Sequence, residues 1–305
     1  MPGVPYVTVD VFSAERFGGN PLAVIPDARP VREELMQRIA AEFNYSECAF
    51  VLPPEDGRNT ARVRIFTPTN EIPFAGHPNV GTAFVLGRAG EACGRGLGGD
   101  DLRFEELAGL VSVRVMREGG TVVGGRIRAP KDLEVGRRVD RDTAAACAAL
   151  RPSEILTAAH EPVMISVGLP FAVAEVAGFE ALARARPNLA AFASADDRYQ
   201  HPDDRFSLFL YTRAQGSLRI RARMFAPLSN VVEDPATGSA SAALGAYLLS
   251  LDPRANVSAA YVVEQGVEMG RRSVIEVEAS KAEGVVQEVW VHGRCTTVMR
   301  GVMEL

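Results

Sequence analysis

Arg62-Val63-Arg64-Ile65-Phe66-Thr67-Pro68 returns later in the chain as Arg221-Ala222-Arg223-Met224-Phe225-Ala226-Pro227. With residues 62–86 laid on 221–245, an offset of 159, Arg62, Arg64, Phe66, Pro68 and Ala83 fall on identical residues. Val63, Ile65 and Ile72 fall on Ala222, Met224 and Val231, so the apolar positions match as well. A weaker echo lies upstream, where Pro21-Leu22-Ala23-Val24 resembles Pro170-Phe171-Ala172-Val173 at an offset of 149. Two echoes in the same order imply a duplication, and a period this long is a whole domain rather than a solenoid repeat.

Each copy reads the same way. Val63 and Ile65 alternate with Arg62 and Arg64, which predicts a strand with one solvated face. Pro68 and Pro227 end that strand, because proline cannot continue a ladder. After a loop comes an apolar helix, over 80–86 in the first copy and 240–249 in the second. Neither carries much charge on any side, the mark of a helix buried all round. Alternating segments such as Val111/Val113/Val115, Ile275/Val277/Ala279 and Val289/Val291 add strands, and amphipathic helices are expected at 31–43 and 179–186. The expected fold is α+β, two strand-rich units each wrapped round a central helix. Gly119, Gly120, Gly124 and Gly125 cluster between them, which places the boundary after residue 118 and gives domains 1–118 and 119–294.

Bulk properties exclude several classes. Of the 305 residues, 47% are hydrophobic and 23% charged, an ordinary globular balance. Net charge is −5 and no Lys/Arg run occurs, so nucleic acid and membrane are not expected partners. Cys48, Cys93, Cys147 and Cys295 are scattered without a C-x-x-C, which suits reduced thiols in a cytoplasm. The N-terminus has neither a basic nor an apolar leader region, so no signal peptide is expected. The uncharged stretch 235–251 is short for a membrane span and reads as a buried helix. His77, His160, His201 and His292 lack ligand spacing with the cysteines, so no metal is expected. One G-x-G-x-x-G occurs, at 94–99, but it follows a helix and precedes Asp100-Asp101, so it reads as a loop and not a nucleotide site.

The loop-to-helix junctions carry the chemistry. They read Pro73-Phe74-Ala75-Gly76-His77-Pro78 and Glu233-Asp234-Pro235-Ala236-Thr237-Gly238-Ser239. Capping alone would explain an Asp or Ser beside a helix start. The functional reading is that both junctions expose free N–H groups at the positive end of a buried helix, beside glycines that let a ligand approach. Two such ends facing one another would bind a carboxylate and stabilise an enolate-like charge. Glu47 enters the otherwise apolar stretch Ser46-Glu47-Cys48-Ala49-Phe50-Val51-Leu52. It is either a solvated edge residue or, if buried near the cleft, a general acid and base. Gly18-Gly19-Asn20-Pro21 is explained by a turn, and Asn20 is given no role.

At these junctions the sequence resembles the PhzF family of phenazine-biosynthesis-like proteins, which share the diaminopimelate epimerase fold. The resemblance runs through Asp10-Val11-Phe12, Gly19–Val24, Ser46–Val51, Arg64–Pro68, Pro73–Pro78, Glu233–Ser239 and Glu264-Gln265-Gly266, nearly the whole chain in order. It implies two barrel-like domains with the site between them, and a final strand, 295–305, returning to the first. It also implies that Glu47 is the proton carrier, assisted by His77 and Asp234, with Ser46, Gly76, Gly238 and Ser239 holding the substrate. The epimerases and racemases of this fold use a cysteine at each helix junction. Here those places lie near Ala75 and at Asp234 and hold no cysteine, which argues against a two-thiol mechanism.

The expected function is therefore a cofactor-independent isomerase acting on a small carboxylate-bearing substrate, with a homodimer left open. The alternatives are an epimerase or racemase without the thiol pair, and a non-catalytic small-molecule-binding protein of the same fold.

Overall fold

The computed structural model describes residues 3–199, 205–214, 216–229 and 231–305, so His201 lies outside the described residues. Two compact units account for the chain: residues 1–128 with 292–305, and residues 129–291.

The first unit holds β1 (Val4–Val11), β2 (Asn20–Ile25), α1 (Glu33–Phe43), β3 (Glu47–Leu52), β4 (Ala61–Phe66), β5 (Glu71–Ile72) and α2 (Gly76–Ala89). There follow the two-residue strands β6 (Glu91–Ala92) and β7 (Arg95–Gly96), then β8 (Asp101–Glu106), β9 (Gly109–Glu118) and β10 (Thr121–Arg128). Antiparallel β1–β2, parallel β2–β3, antiparallel β3–β4, parallel β4–β8 and the antiparallel β8–β9 and β9–β10 pairs form one succession. The C-terminal strand pairs with both β10 and β1, so the ring closes on itself. α2 lies against β1, β2, β3, β9 and β10. Everything from His77 to Gly87 is buried, as a helix without a polar face requires. Gly81 and Gly87 let the strands approach: a Cβ would meet Leu22 Cδ2 at 2.5 Å and Val115 Cγ1 at 2.7 Å respectively.

The second unit holds β11 (Glu134–Arg138), α3 (Arg141–Cys147), β12 (Ile155–Leu156), β13 (Val163–Ser166), β14 (Pro170–Val176), α4 (Gly178–Arg184), α5 (Leu189–Tyr199), β15 (Leu208–Thr212), β16 (Arg219–Ala226) and β17 (Val231–Asp234). α6 (Gly238–Ser250), β18 (Val257–Gln265), β19 (Ser273–Ala282) and β20 (Val285–Met303) complete the chain. The succession is antiparallel β13–β14, parallel β14–β15, antiparallel β15–β16, parallel β16–β18 and antiparallel β18–β19, after which β19 pairs with β20. Antiparallel and parallel pairs follow in the same order as in the first unit. α6 is packed on by β13, β14, β18 and β19 and buried along its length.

Three sequence expectations need correction. The cluster of glycines after residue 118 is a tight hairpin, not a linker. Gly119 and Gly120 both have positive φ, and β10 turns straight back on β9, Thr121 opposite Glu118. The first unit therefore keeps β10 and runs to Arg128, and the C-terminal return begins at His292 rather than residue 295. Second, the arginine face of the repeated strand is solvated only at Arg62, whose side chain is 41% exposed. The Arg223 side chain is 3% exposed, bonded to both Glu233 oxygens at 2.8 Å and to the carbonyls of Leu182 and Ala185. Arg64 is held likewise by Glu71, at 2.7 Å through both nitrogens. A guanidinium can be buried when its donors are matched in this way. Third, the offset of 159 slips before the helices, which begin at Gly76 and Gly238. Counted from Phe66 and Phe225, the second unit takes three more residues to reach its helix, with a 3-10 turn at Pro227–Ser229 on the way. Ala83 and Ala242 are thus not the same step from the helix start.

Candidate active site

Glu47 is the first residue of β3 and His77 the second of α2. Strand and helix bring them together, with His77 Nε2 3.3 Å from Glu47 Oε2. The Glu47 side chain is 17% exposed and the His77 side chain 6%, so the solvated-edge reading of Glu47 does not hold. Burial pushes the imidazole down to about 3. At neutral pH the contact therefore joins a carboxyl group to a neutral imidazole and is not an ion pair. Nε2 makes no hydrogen bond with a described residue. It is close to the carboxyl group without hydrogen-bonding geometry.

Ala75 precedes α2 in extended conformation, and no side chain caps the helix. Gly76 is half-buried and offers the first amide, while Ser46 is half-buried one residue before Glu47. Asn79, in the first turn, is turned inward and donates Nδ2 to the Ala75 carbonyl at 3.0 Å.

Asp234 belongs to the second unit, at the end of β17 and buried. It does not cap α6. Thr237 holds the cap position, also without a side-chain cap, and its hydroxyl donates instead to Asp234 Oδ2 at 2.6 Å. Neither N-cap residue caps its helix through its side chain, and each helix start presents the positive end of the macrodipole. Gly238 is buried and Ser239 half-buried at that start.

Motif reading noted Gln265 but gave it no task. It is fully buried and accepts from the Thr237 N–H at 3.0 Å. It donates to the Asp234 carbonyl at 2.8 Å and to Thr237 Oγ1 at 3.0 Å. Ser273 Oγ donates to the Pro235 carbonyl at 2.8 Å. Gly266, at φ +72°, comes so close that a Cβ would stand 2.6 Å from the Pro235 oxygen. The turn that carries Asp234 is therefore cast by the β18–β19 hairpin. A buried Gln ending an apolar strand, followed by Gly, was the available signal.

All four cysteines are free and buried, none beside a helix start. Burial pushes the Cys48 thiol up to about 12 and the Cys93 thiol to about 11, so neither is a thiolate at neutral pH. Among the described residues no group of three His, Cys, Asp or Glu side chains could hold a metal. No helix among them is long and apolar enough to cross a membrane.

The first unit is thus a ring of mixed strands round a buried helix, with Glu47 and His77 brought together at the helix start. The phenazine biosynthesis-like protein pattern matches residues 9–301, so the chain belongs to that family. An isomerase of uncharacterised reaction from Mesorhizobium japonicum is 35% identical over 97% of each chain. The trans-2,3-dihydro-3-hydroxyanthranilate isomerase of Pseudomonas fluorescens is 33% identical, over 98% of this chain and 99% of that one. The crystal structure of a PhzF-family protein from Bacillus anthracis shares the fold at a TM-score of 0.86, covering 100% of both chains at 23% identity. The chain is an isomerase of this family.

Proposed function

We propose that the protein is a cofactor-independent isomerase that moves a proton on a small carboxylate-bearing substrate, in a cleft between two duplicated barrel-like domains. Glu47 removes a proton from an activated carbon, and Glu47, His77 or Asp234 returns it elsewhere. The proton lost at one carbon is regained at another, so the substrate gains and loses no electrons and the step calls for no redox group. The amides near Gly76 and Gly238 receive the carboxylate and the negative charge that develops, with Ser46 and Ser239 against the substrate.

The observation that carries this reading is the 3.3 Å approach of the Glu47 carboxyl group to a buried, neutral imidazole, at the uncapped start of a buried helix. A surface glutamate would have no reason to be there. A neutral imidazole can hold the carboxyl group in place, and a positioned acid–base group such as Glu47 is worth ~10²–10⁴ in rate. The duplication is supported by the repeated order of strand pairings and by the repeated arginine strand. For the substrate class, the Pseudomonas relative is named for an anthranilate derivative. Such a molecule is cyclic and carries a carboxylate, as the helix ends would require.

The test is incubation with trans-2,3-dihydro-3-hydroxyanthranilate in deuterated water, followed by NMR. The wild type should exchange a C–H proton and form an isomer, and Glu47→Gln should lose ~10²-fold or more in both. A carboxylate analogue should still bind the variant, because binding is assigned to backbone amides. Equal exchange rates in both proteins would remove Glu47 as the base. Inversion at the same carbon would make the enzyme an epimerase, and binding without any exchange would make it a binding protein.

A further inference from the structure

Glu106 ends β8, at the turn into β9. Both of its carboxyl oxygens are buried without a hydrogen-bond partner among the described residues. Two influences act on it: burial, which pushes the carboxyl up to about 8, and the Asn79 side-chain amide, which opposes that rise. Asn79 is the residue that ties the first turn of α2 to Ala75, and its own Oδ1 is buried and lacks a partner among the described residues. Two residues past Glu106, the Ala108 N–H donates to the Pro73 carbonyl at 3.1 Å. The end of the β8–β9 hairpin is thus fastened to the loop that enters α2.

The second unit shows what a residue in this place does. β4 lies parallel to β8 with Arg62 opposite Glu105. β16 lies parallel to β18 with Arg221 opposite Glu264. One offset of 159 relates both pairs (62 to 221, 105 to 264), and the next residues along are Glu106 and Gln265. Gln265 fixes its helix start by accepting from one backbone group and donating to another. A protonated carboxyl group has the shape of a carboxamide and, like it, offers one acceptor and a donor; a carboxylate offers no donor.

We propose that Glu106 works in its neutral form as the first unit's counterpart of Gln265, holding the start of α2 through Asn79 and so positioning Gly76 and His77. Its O–H supplies the donor that Asn79 Oδ1 lacks, while Asn79 Nδ2 commits one N–H to Ala75. Ionised, the same group would be a buried charge with only the second Asn79 N–H to oppose the cost of its burial. The charged groups on the surrounding elements are otherwise occupied. On β4, Arg62 pairs with Glu55, and Arg64 with Glu33 and Glu71. On β8 itself, Glu105 accepts from the amides of Glu55 and Asp56 and from Asn59. On α2, His77 is held neutral. At this end β9 brings only Gly109 and Leu110. Glu106 is thus a positioning residue. Any effect on turnover rests on the reading of this helix start as the substrate site, but the titration and its coupling to α2 do not.

The experiment follows the carboxyl carbon of Glu106 by ¹³C NMR in selectively labelled full-length protein, alongside the ¹H–¹⁵N signals of Gly76, His77 and the Asn79 side chain, from pH 5 to pH 10. The carboxyl should titrate near 8, more than three units above its ordinary 4.5, and the α2 signals should shift with the same midpoint. Glu106→Gln should abolish that step and hold the α2 signals at their low-pH wild-type positions, whereas Glu106→Ala should displace them at every pH. A carboxyl that titrates between 4 and 5 would overturn the proposal. So would α2 signals indifferent to the titration, or a Gln variant that behaves like the Ala variant. The wild-type titration alone decides the matter if a variant does not fold.

Discussion

Gln265→Leu is the sharpest test of how the Asp234 turn is built. Leucine keeps the buried volume approximately and removes three hydrogen bonds: one from the Thr237 amide and two donated to Asp234 O and Thr237 Oγ1. The threonine hydroxyl keeps Asp234 as a partner at 2.6 Å, so its loss is small. The Thr237 N–H and the Asp234 carbonyl lose their Gln265 partner in a buried setting. Each such orphan costs about 1–3 kcal/mol, so the variant should lose about 2–6 kcal/mol of the roughly 5–15 kcal/mol that holds a domain folded. Urea unfolding read at two probes is the assay. The midpoint should fall with an unchanged slope, which separates lost stability from a changed unfolded state. Gln265→Glu offers a control, because it can replace the carboxamide only while protonated. It should be milder than leucine at pH 5 and approach it, or exceed it, at pH 9. A leucine variant within ~0.5 kcal/mol of wild type, the range of an ordinary surface change, would refute the assignment of Gln265 as the clamp.

The remaining predictions are more compact. Folded His77 binds fewer protons than the unfolded chain between about 6.5 and about 3, so stability should fall as pH drops through that window; His77→Gln should flatten this limb in denaturant melts at pH 7.5 and pH 5. Gly266→Ala adds a Cβ at φ +72°, within 2.6 Å of the Pro235 oxygen and 2.5 Å of the Arg271 oxygen, and should cost more than ~1 kcal/mol, a loss visible as a lowered melting temperature. The four buried thiols should react with an aromatic disulfide reagent only on unfolding, and turnover should survive it; prompt native reactivity would contradict their burial.

Periodicity was enough to show strands gathered round two apolar helices. Val63 and Ile65 alternate, the helix sequences lack a polar face, and the arginine strand returns after 159 residues. These features are local, or are repeated locally, so the order of residues exposes them. The same logic misread Gly119 and Gly120, because glycines mark a change of direction without saying whether the chain leaves or doubles back; pairing with β9 decided that. It also misplaced Arg223, whose burial depends on Glu233 and on two carbonyls some 40 residues distant in sequence.

For the site, sequence motifs supplied the residue types, and Glu47, His77 and Asp234 could be named from them. Tertiary structure decided their condition. The 3.3 Å contact of Glu47 with His77 joins the first residue of a strand to the start of a helix 30 residues later. The neutral imidazole follows from burial by the surrounding strands. Gln265 clamps the Asp234 turn from 28–31 residues away. A sequence records which groups can donate, accept or ionise. Whether they do so depends on the solvent removed and the partners supplied when distant segments pack, and that is fixed only in three dimensions.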